Sequence, residues 1–401
     1  LKLDIAIIGA SSSGLYAAAR LARAGKRVTV FEQHSRLAPA RRTLIITPRL
    51  LQLLGPLPAD VVLHQTRTMS VVTTAAQLRV CLHDPDLIIE RGRMTRAMAQ
   101  QALDAGAHIE YGRRFRGLAP HPEGIRLWLR NDDDSETRVT ATAVIGADGM
   151  NSDVARAVGL RRPATVPILQ AEVKLPAHWN PDVTQVWFDT NDTRFFYWLI
   201  PESLTHGVVG LVGEDGATTR RLLQQFLARH DLEPLAYQGA QVAMYDRQLR
   251  PSVRVGDVPV LLVGDAAGQV KITTVGGSVS GFWGAEAAVQ SLLHNRSYAR
   301  ELRSLRHELD LHWLLRELLD CADNHHYNRM VRAISPEVLR FLENFNRDEM
   351  AWRFWPMVIR QPALIRLGLA LMLRRFVYPR CRPAKAARVA RTVNASRVHR
   401  E

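Results

Sequence analysis

The sequence predicts an α/β chain in three parts: a parallel sheet that binds a dinucleotide, an antiparallel sheet inserted into it, and a helical, basic C-terminal region. Three observations carry this expectation. A strand–loop–helix–strand unit opens the chain and ends in an acid. A second strand, small-residue loop and apolar helix run from Val258 to Leu293. Between them, four strand-like segments follow one another from Ile168 to Val212.

In the opening unit, Asp4 to Ile8 is an apolar strand and Leu15 to Ala24 a helix closed by Gly25. Val28 to Glu32 is the next strand. The loop between the first strand and the helix reads Gly9-Ala10-Ser11-Ser12-Ser13-Gly14. Gly9 and Gly14 have the outer spacing of a dinucleotide fingerprint, and Ser11 stands where the middle glycine is expected. A serine is small enough for the backbone to approach a pyrophosphate, and its hydroxyl can donate to one. Glu32 follows Gly14 by 18 positions, near the roughly 20 expected for a carboxylate on a ribose. Together these features predict a Rossmann-like dinucleotide site; a plain α/β unit is the alternative. The segment from Val258 repeats the logic. Val260 to Val263 is a buried strand, Gly264-Asp265 a turn, and Gly268, Gly276 and Gly277 carry no Cβ to hold a ligand away. The helix that starts near Gly277 can face an anion with free N–H groups. Asp265 can accept a ribose or ribitol hydroxyl, or serve only to hold the turn.

Composition sets limits. A chain of 401 residues with 47% hydrophobic residues supports a core and two domains, or one domain with an inserted lobe. No apolar run reaches a membrane-spanning length, and no signal peptide is visible. Three cysteines (Cys81, Cys321, Cys381) are too scattered for a disulfide framework and favour a reducing cytoplasm. A net charge of +14 implies an acidic partner surface, either anionic lipid or nucleic acid.

The remaining elements follow in order. Arg41 or Arg42 can reach a pyrophosphate or a flavin carbonyl, or remain solvated. Leu50 to Leu57 reads as a short helix, Val71 to Thr73 with Leu78 to Leu82 as a hairpin, and Leu87 to Arg91 as a further strand leading into a helix from Met94 to Leu103. His108 to Tyr111 and Gly124 to Leu129 are strands. The consecutive acids Asp132 to Asp134 form a hairpin tip and lack the alternation of a calcium loop. Val139 to Ile145 runs into Gly146-Ala147-Asp148-Gly149, which places another carboxylate at the carboxyl end of a strand. The predicted antiparallel lobe holds Ile168 to Leu175, Gln185 to Phe188, the aromatic strand Arg194 to Ile200, and Gly207 to Val212, with a helix from Thr218 to Arg229. Arg300 to Leu319 fits one long helix. Cys321, His325 and His326 lack metal-site spacing. Ala363 to Leu373 is an apolar run broken by Arg366, and no acid occurs from Arg374 to Arg400. That pairing suits an interfacial anchor on anionic lipid; a buried terminal helix or a disordered tail are the alternatives. These readings divide the chain into residues 1–165 and 249–298 for the cofactor-binding domain, 166–248 for the sheet lobe, and 299–401 for the helical region.

The blocks GASSSG with Glu32, GADGMNSDVAR and VGDAAGQVKITTVGG, in this order, resemble the FAD-dependent oxidoreductases of the aromatic-hydroxylase fold, and within it the geranylgeranyl reductase family. Phe196-x-Trp198-x-Ile200-Pro201 resembles that family's Tyr-x-Trp-x-Phe-Pro motif, which lines the substrate cavity. The resemblance covers roughly residues 1–290. It implies that Gly9, Ser11, Ser13 and Gly14 hold the FAD pyrophosphate, Glu32 the adenosine ribose, and Arg42 and Arg91 other parts of the cofactor. Asp148 then lies near the pyrophosphate, Gly264 and Asp265 at the ribitol, Gly276 and Gly277 by the isoalloxazine, and Phe196, Trp198 and Pro201 around the substrate. Two positions depart from the family pattern: Ile272 replaces a usual proline, and Val275 a usual glycine.

The resulting expectation is an FAD enzyme that reduces double bonds of an isoprenoid or other apolar lipid-like substrate. Electrons would come from NAD(P)H or ferredoxin, and no catalytic residue or metal is assigned. The chain is expected in the cytoplasm, on the inner face of an anionic membrane. An FAD-dependent monooxygenase is the alternative. A flavin-dependent halogenase, which shares a related motif over Phe196 to Pro201, and a non-catalytic basic flavoprotein that binds nucleic acid rank below it. A basic tail beside an apolar helix favours lipid over nucleic acid.

Overall fold

The computed structural model describes residues 2–37, 41–344, 348 and 351–377. The chain opens with β1 (Lys2–Ile8), α1 (Ser12–Arg23) and β2 (Val28–Phe31). Next come β3 (Thr43–Ile46), α2 (Arg49–Leu54), β4 (Val62–Thr73), β5 (Gln77–Glu90) and α3 (Arg91–Asp104). β6 (His108–Glu110), β7 (Arg113–His121), β8 (Gly124–Asn131), β9 (Glu136–Gly146) and α4 (Asp153–Ala157) follow. The middle holds β10 (Ala164–Lys174), β11 (Val183–Phe188), β12 (Tyr197–Pro201), β13 (His206–Val212), α5 (Gly216–Arg229) and β14 (Pro234–Met244). After β15 (Ser252–Val255) and β16 (Val258–Leu262) the described chain is helical: α6 (Ser278–Leu293), α7 (Tyr298–Glu301), α8 (Arg303–Leu319), α9 (Asn324–Arg332), α10 (Pro336–Glu343), α11 (Ala351–Ile359) and α12 (Pro362–Val377).

The first sheet has the order β15-β16-β9-β1-β2-β6, with β8 and β7 added through β9. β16, β9, β1, β2 and β6 run parallel. Both faces are covered, which is why these strands read as continuous apolar runs rather than alternating ones. Ile5 and Ile7 face a core shared with α1, α3 and α6, while Leu3, Ala6 and Ile8 face a second core under β8. Parallel direction has a functional consequence. The loops that follow β1, β2, β9 and β16 all leave the sheet at one edge, so Gly9, Glu32, Asp148 and Asp265 converge there.

The second sheet has the order β14-β10-β13-β12-β11-β4-β5-β3. It is mixed, because β11 pairs with β4 in parallel from Val183↔Thr68 to Phe188↔Thr73. Three of its strands come from residues 43–90, ahead of the segment in which the sequence places this sheet. Leu87 to Arg91 is no separate strand: β5 runs from Gln77 to Glu90, and Arg91 already belongs to α3. The carboxylate of Glu90 caps that helix, accepting from the Gly92 and Arg93 N–H groups at 2.7 and 2.8 Å. β7 and β14 were not expected. Each is a ribbon with few buried positions, so neither carries the apolar alternation that marks a strand.

Two further boundaries differ. The aromatic strand begins at Tyr197, because the Thr193 hydroxyl turns the chain by accepting from the Phe195 N–H at 3.1 Å. Phe196 therefore precedes the strand. The long helix expected from Arg300 to Leu319 is broken at Leu302, which ends α7 and starts α8.

β12 separates two cores. Tyr197 and Leu199 pack under α5 with Phe226. Trp198 and Ile200 point to the opposite side and meet Ile88, Ile45 and Val275. That opposite side faces the loop before α6. Among the described residues no helix is long and apolar enough to cross a membrane.

Candidate functional site

The loop after β1 is shaped by close approach. Gly9 has φ +97°, and a Cβ there would lie 2.6 Å from the Ala147 carbonyl oxygen and 2.9 Å from the Asp148 Cα. A Cβ at Gly14 would lie 2.6 Å from the Gly9 carbonyl oxygen and 2.8 Å from the Ala147 Cβ. Both glycines thus let the ends of β1 and β9 touch, which sets Asp148 beside the first loop. Ser11 caps α1, its Oγ accepting from the Gly14 N–H at 3.3 Å. That contact leaves the hydroxyl hydrogen for another acceptor. Glu32 accepts from the Ala10 N–H at 2.8 Å and the His34 N–H at 3.1 Å. The acid fixes the turn and retains lone pairs for a ribose hydroxyl.

Arg42, Arg91 and Asp265 come from three distant segments and meet at the sheet edge. The Arg91 N–H donates to the Arg42 carbonyl at 2.9 Å, which ties the start of β3 to the start of α3. Burial pushes the Arg42 guanidinium below its ordinary range, the Arg91 charge adds to that, and Asp265 opposes it. Burial likewise raises Asp265, against the pull of Arg42 and Arg91. None of the three side chains makes a hydrogen bond among the described residues. Arg41, the alternative to Arg42, is exposed and lies 3.6 Å from Glu172 and 4.0 Å from Glu202, on the second sheet. Asp148 is also raised by burial. One of its oxygens accepts from the Val154 N–H at 3.1 Å, and the other is buried without a partner.

The loop between β16 and α6 is held by side chains. Gly264 donates its N–H to the Gln269 side-chain oxygen at 2.7 Å; the Gln269 amide donates to Tyr298 at 3.1 Å; and the Tyr298 hydroxyl reaches the Leu262 carbonyl at 2.8 Å. Gly284 makes room for Gln269, since a Cβ there would fall 1.9 Å from its oxygen. Ser13 sits between Gly264 and Gly281, with Cβ positions 2.9 and 2.7 Å from its hydroxyl. Gly277 precedes α6 and supplies no side-chain cap, so the first N–H groups of that helix are open to a ligand. A Cβ at Gly277 would lie 3.4 Å from an Asp265 oxygen. Gly276 pairs with Lys271, whose N–H donates to its carbonyl at 3.0 Å.

Val275 has φ +54°. A β-branched residue in the left-handed region is strained. The same residue packs against the apolar cluster that contains Trp198 and Ile200, on which Phe196 also packs. Phe188 extends its aromatic wall, 5.9 Å from Phe196 between ring centroids, and Tyr327 of α9 stacks on Phe188 at 4.8 Å. The Trp198 indole N–H is buried without a partner. Gly210, opposite Trp198 on β13, gives the indole its space.

The sequence did not disclose Phe188 or Tyr327, nor the buried Lys271–Asp348 ion pair and the His312–Glu308 pair behind the loop. Lys271 lies inside the block that was read as loop backbone. The other residues belong to segments with no motif at all. Cys321 is buried with Leu367 and Leu371, and Arg374 packs on His326 and Asp323. Among the described residues no group of three or more metal-binding side chains is assembled.

This arrangement fits FAD. Glycines at positions 9 and 14 let the first loop lie against the end of β9, Gly277 leaves the start of α6 without a side chain, and Arg42 and Arg91 beside Asp265 would offset phosphate charge. The unpartnered Asp148 oxygen and the raised Asp265 carboxyl both await hydroxyl or N–H donors.

A family model described as an FAD binding domain matches residues 2–282. The geranylgeranyl diphosphate reductase of Rhodobacter capsulatus is 26% identical over 317 residues, which cover 73% of this chain and 76% of that protein. The 6-methylpretetramide 4-monooxygenase of Streptomyces rimosus is 27% identical over 287 residues, 66% of this chain and 51% of that protein. Among solved structures, a geranylgeranyl bacteriochlorophyll reductase-like protein from Thermoplasma acidophilum superposes with a TM-score of 0.73 at 17% identity, covering 90% of this chain and 99% of that one.

Proposed function

The chain belongs to the FAD binding domain family and is an FAD-dependent oxidoreductase; from that premise we propose that it reduces a carbon–carbon double bond of an isoprenoid or similar apolar lipid. The observation that carries this reading is the run of aromatic contacts from Trp198 through Phe196 and Phe188 to Tyr327, whose Trp198 end shares an apolar cluster with Val275. An apolar, aromatic surface gives a long hydrocarbon its binding energy and offers a polar ring few partners.

In this reading Gly9, Ser11, Ser13 and Gly14 shape the pyrophosphate site, and Glu32 takes the adenosine ribose. Arg42, Arg91 and Asp148 offset and orient the phosphates, Gly264 and Asp265 take the ribitol, and Gly276 and Gly277 lie along the ring. Bound FAD supplies a hydride. The chain's own residues hold the substrate against the ring and exclude water, with Phe196 and Trp198 on the substrate side; Pro201 alternates with Tyr197 and Leu199 and so belongs to the other face of β12. Electrons come from NAD(P)H or ferredoxin.

Membrane docking belongs to the same proposal. α11 and α12 expose Trp355, Ile359, Ile365, Leu369, Met372 and Leu373. Arg360 and Arg366 are exposed among them, a composition suited to an anionic lipid surface. The acid-free tail beyond residue 377 lies outside the described residues.

The similarity to a monooxygenase supports a second reading, in which the same site inserts oxygen. One experiment separates the two. The FAD-loaded protein is reduced without oxygen and mixed with geranylgeranyl diphosphate. Reoxidation with a product two hydrogens heavier is expected. A requirement for oxygen, with an oxygen atom gained, would establish the monooxygenase instead.

A further inference from the structure

Four ionisable side chains are buried together behind the loop from Lys271 to Gly277, and the assignments above use none of them. Lys271 pairs with Asp348, which also accepts from Thr47. His312, on α8, is fully buried. Its Nδ1 is hydrogen-bonded to the Thr273 hydroxyl. Its Nε2 lies 3.3 Å from Glu308, within ion-pair range but off the line of a hydrogen bond. Glu308, one turn earlier on the same helix, also lines a cavity of about 500 Å³ between α2, α6, α8 and α11, together with Arg49, Trp283 and Arg353. A continuous row therefore runs from that cavity through Glu308, His312 and Thr273 to the loop proposed to lie by the flavin.

We propose that Glu308, His312 and Thr273 form a proton relay that carries protons from the cavity to this loop, with His312 as its positioning residue. The proposal rests on the oxidoreductase reading. Reduction of a double bond adds one hydride and one proton, and the relay concerns the proton alone. Glu308 takes a proton from water in the cavity, turns its carboxyl into line with His312 Nε2 and passes the proton to it. His312 releases one from Nδ1 to Thr273 Oγ1, and Thr273 gives its own to the acceptor on the loop side. Each group loses one proton and gains one, so the protein's charge is unchanged after a cycle. A carboxyl, an imidazole and a hydroxyl can each do both.

The charged groups facing His312 are Glu308 on its own helix, Lys271 on the loop and Asp348 ahead of α11. Burial holds the imidazole below the ordinary histidine range; Glu308 and Asp348 oppose this and Lys271 adds to it. His312 is therefore neutral at neutral pH and accepts a proton when negative charge develops at the loop.

The test is the midpoint potential of bound FAD as a function of pH, which needs no substrate. In the wild type, reduction should take up one extra proton per two electrons within a pH window whose lower edge lies below about pH 6.5, the ordinary histidine value. His312→Gln should abolish the window while FAD stays bound. Glu308→Gln should move it to lower pH, because a carboxylate favouring the imidazolium is gone; this variant decides the matter if His312→Gln does not fold. Thr273→Val should shrink the window and Thr273→Ser preserve it, which a purely structural role would not require. A wild-type protein that binds FAD and lacks the window, or a window unchanged in His312→Gln or in Glu308→Gln, overturns the relay. Failure to bind FAD would instead overturn the reading beneath it.

Discussion

Two strand–loop–helix units build the proposed cofactor site, and they are held in different ways. The unit β1–α1 relies on backbone. Gly9 and Gly14 permit contacts that no Cβ would, and a single serine caps the helix. The unit β16–α6 relies on side chains from elsewhere in the chain. Gln269 and Tyr298 brace its turn, Lys271 reaches Asp348, Thr273 reaches His312, and Val275 holds a left-handed conformation against the aromatic wall. A backbone-built unit serves any reaction that uses the cofactor. A unit built from distant side chains is where one chain can differ from its relatives.

The largest effect should come from breaking the first unit. Gly14→Val places carbon atoms against the Gly9 carbonyl and Ala147, with nearest approaches already at 2.6 and 2.8 Å for Cβ alone. Backbone cannot yield as a side chain can, so the cost lies well above the roughly 1–3 kcal/mol typical of overpacking. Loss of soluble protein, or of all bound FAD, is expected in a spectrum of the purified variant. A yellow, stable Gly14→Val protein would mean that the two units are not held differently.

Next in size is the ion pair behind the second unit. Lys271→Met leaves Asp348 buried beside an apolar chain, and breaking a buried pair costs about 3–5 kcal/mol. Replacing Asp348 with Leu in the same protein should recover part of that loss, since the buried carboxylate goes with it. Denaturant midpoints of the single and double variants measure both. A smaller loss, about 1–3 kcal/mol, is expected for Gly284→Ala. Its methyl displaces Gln269 and leaves the Gly264 N–H unsatisfied. Its FAD affinity should fall while α1 stays intact, which distinguishes damage to the brace from damage to the fold.

The same division explains what the sequence disclosed. Glycine spacing, an N-cap and an acid at the end of a strand are local, so Gly9, Ser11, Gly14 and Glu32 were legible from one short stretch. The parallel strands were legible because burial on both faces makes them uniformly apolar. Arg42 could not be told from Arg41, because only the tertiary position of Glu172 and Glu202 separates them. The second sheet was only half legible: β3, β4 and β5 join it through a parallel pairing between residues more than a hundred positions apart, and no local pattern records that. Phe188 meets Tyr327 by stacking and Thr273 meets His312 by a hydrogen bond, contacts that only the tertiary fold creates.

The smallest effect should come from Val275, and it sharpens the comparison most. Valine at φ +54° carries roughly 1–2 kcal/mol of conformational strain. Val275→Gly relieves it. Against that stand the lost packing on the apolar cluster around Trp198, about 1.5–3 kcal/mol for a fully buried side chain and less for this half-buried one, and the extra freedom of glycine in the unfolded chain, about 0.4–1 kcal/mol. The terms nearly cancel, so the denaturant midpoint should shift by no more than about 1 kcal/mol. The space released lies between the aromatic wall and the loop, where the proposed substrate meets the ring. A change in KM with bulkier isoprenoids is therefore expected without a change in FAD affinity. If stability falls by several kcal/mol instead, Val275 is retained for packing. If neither stability nor substrate preference moves, the wall does not face the substrate.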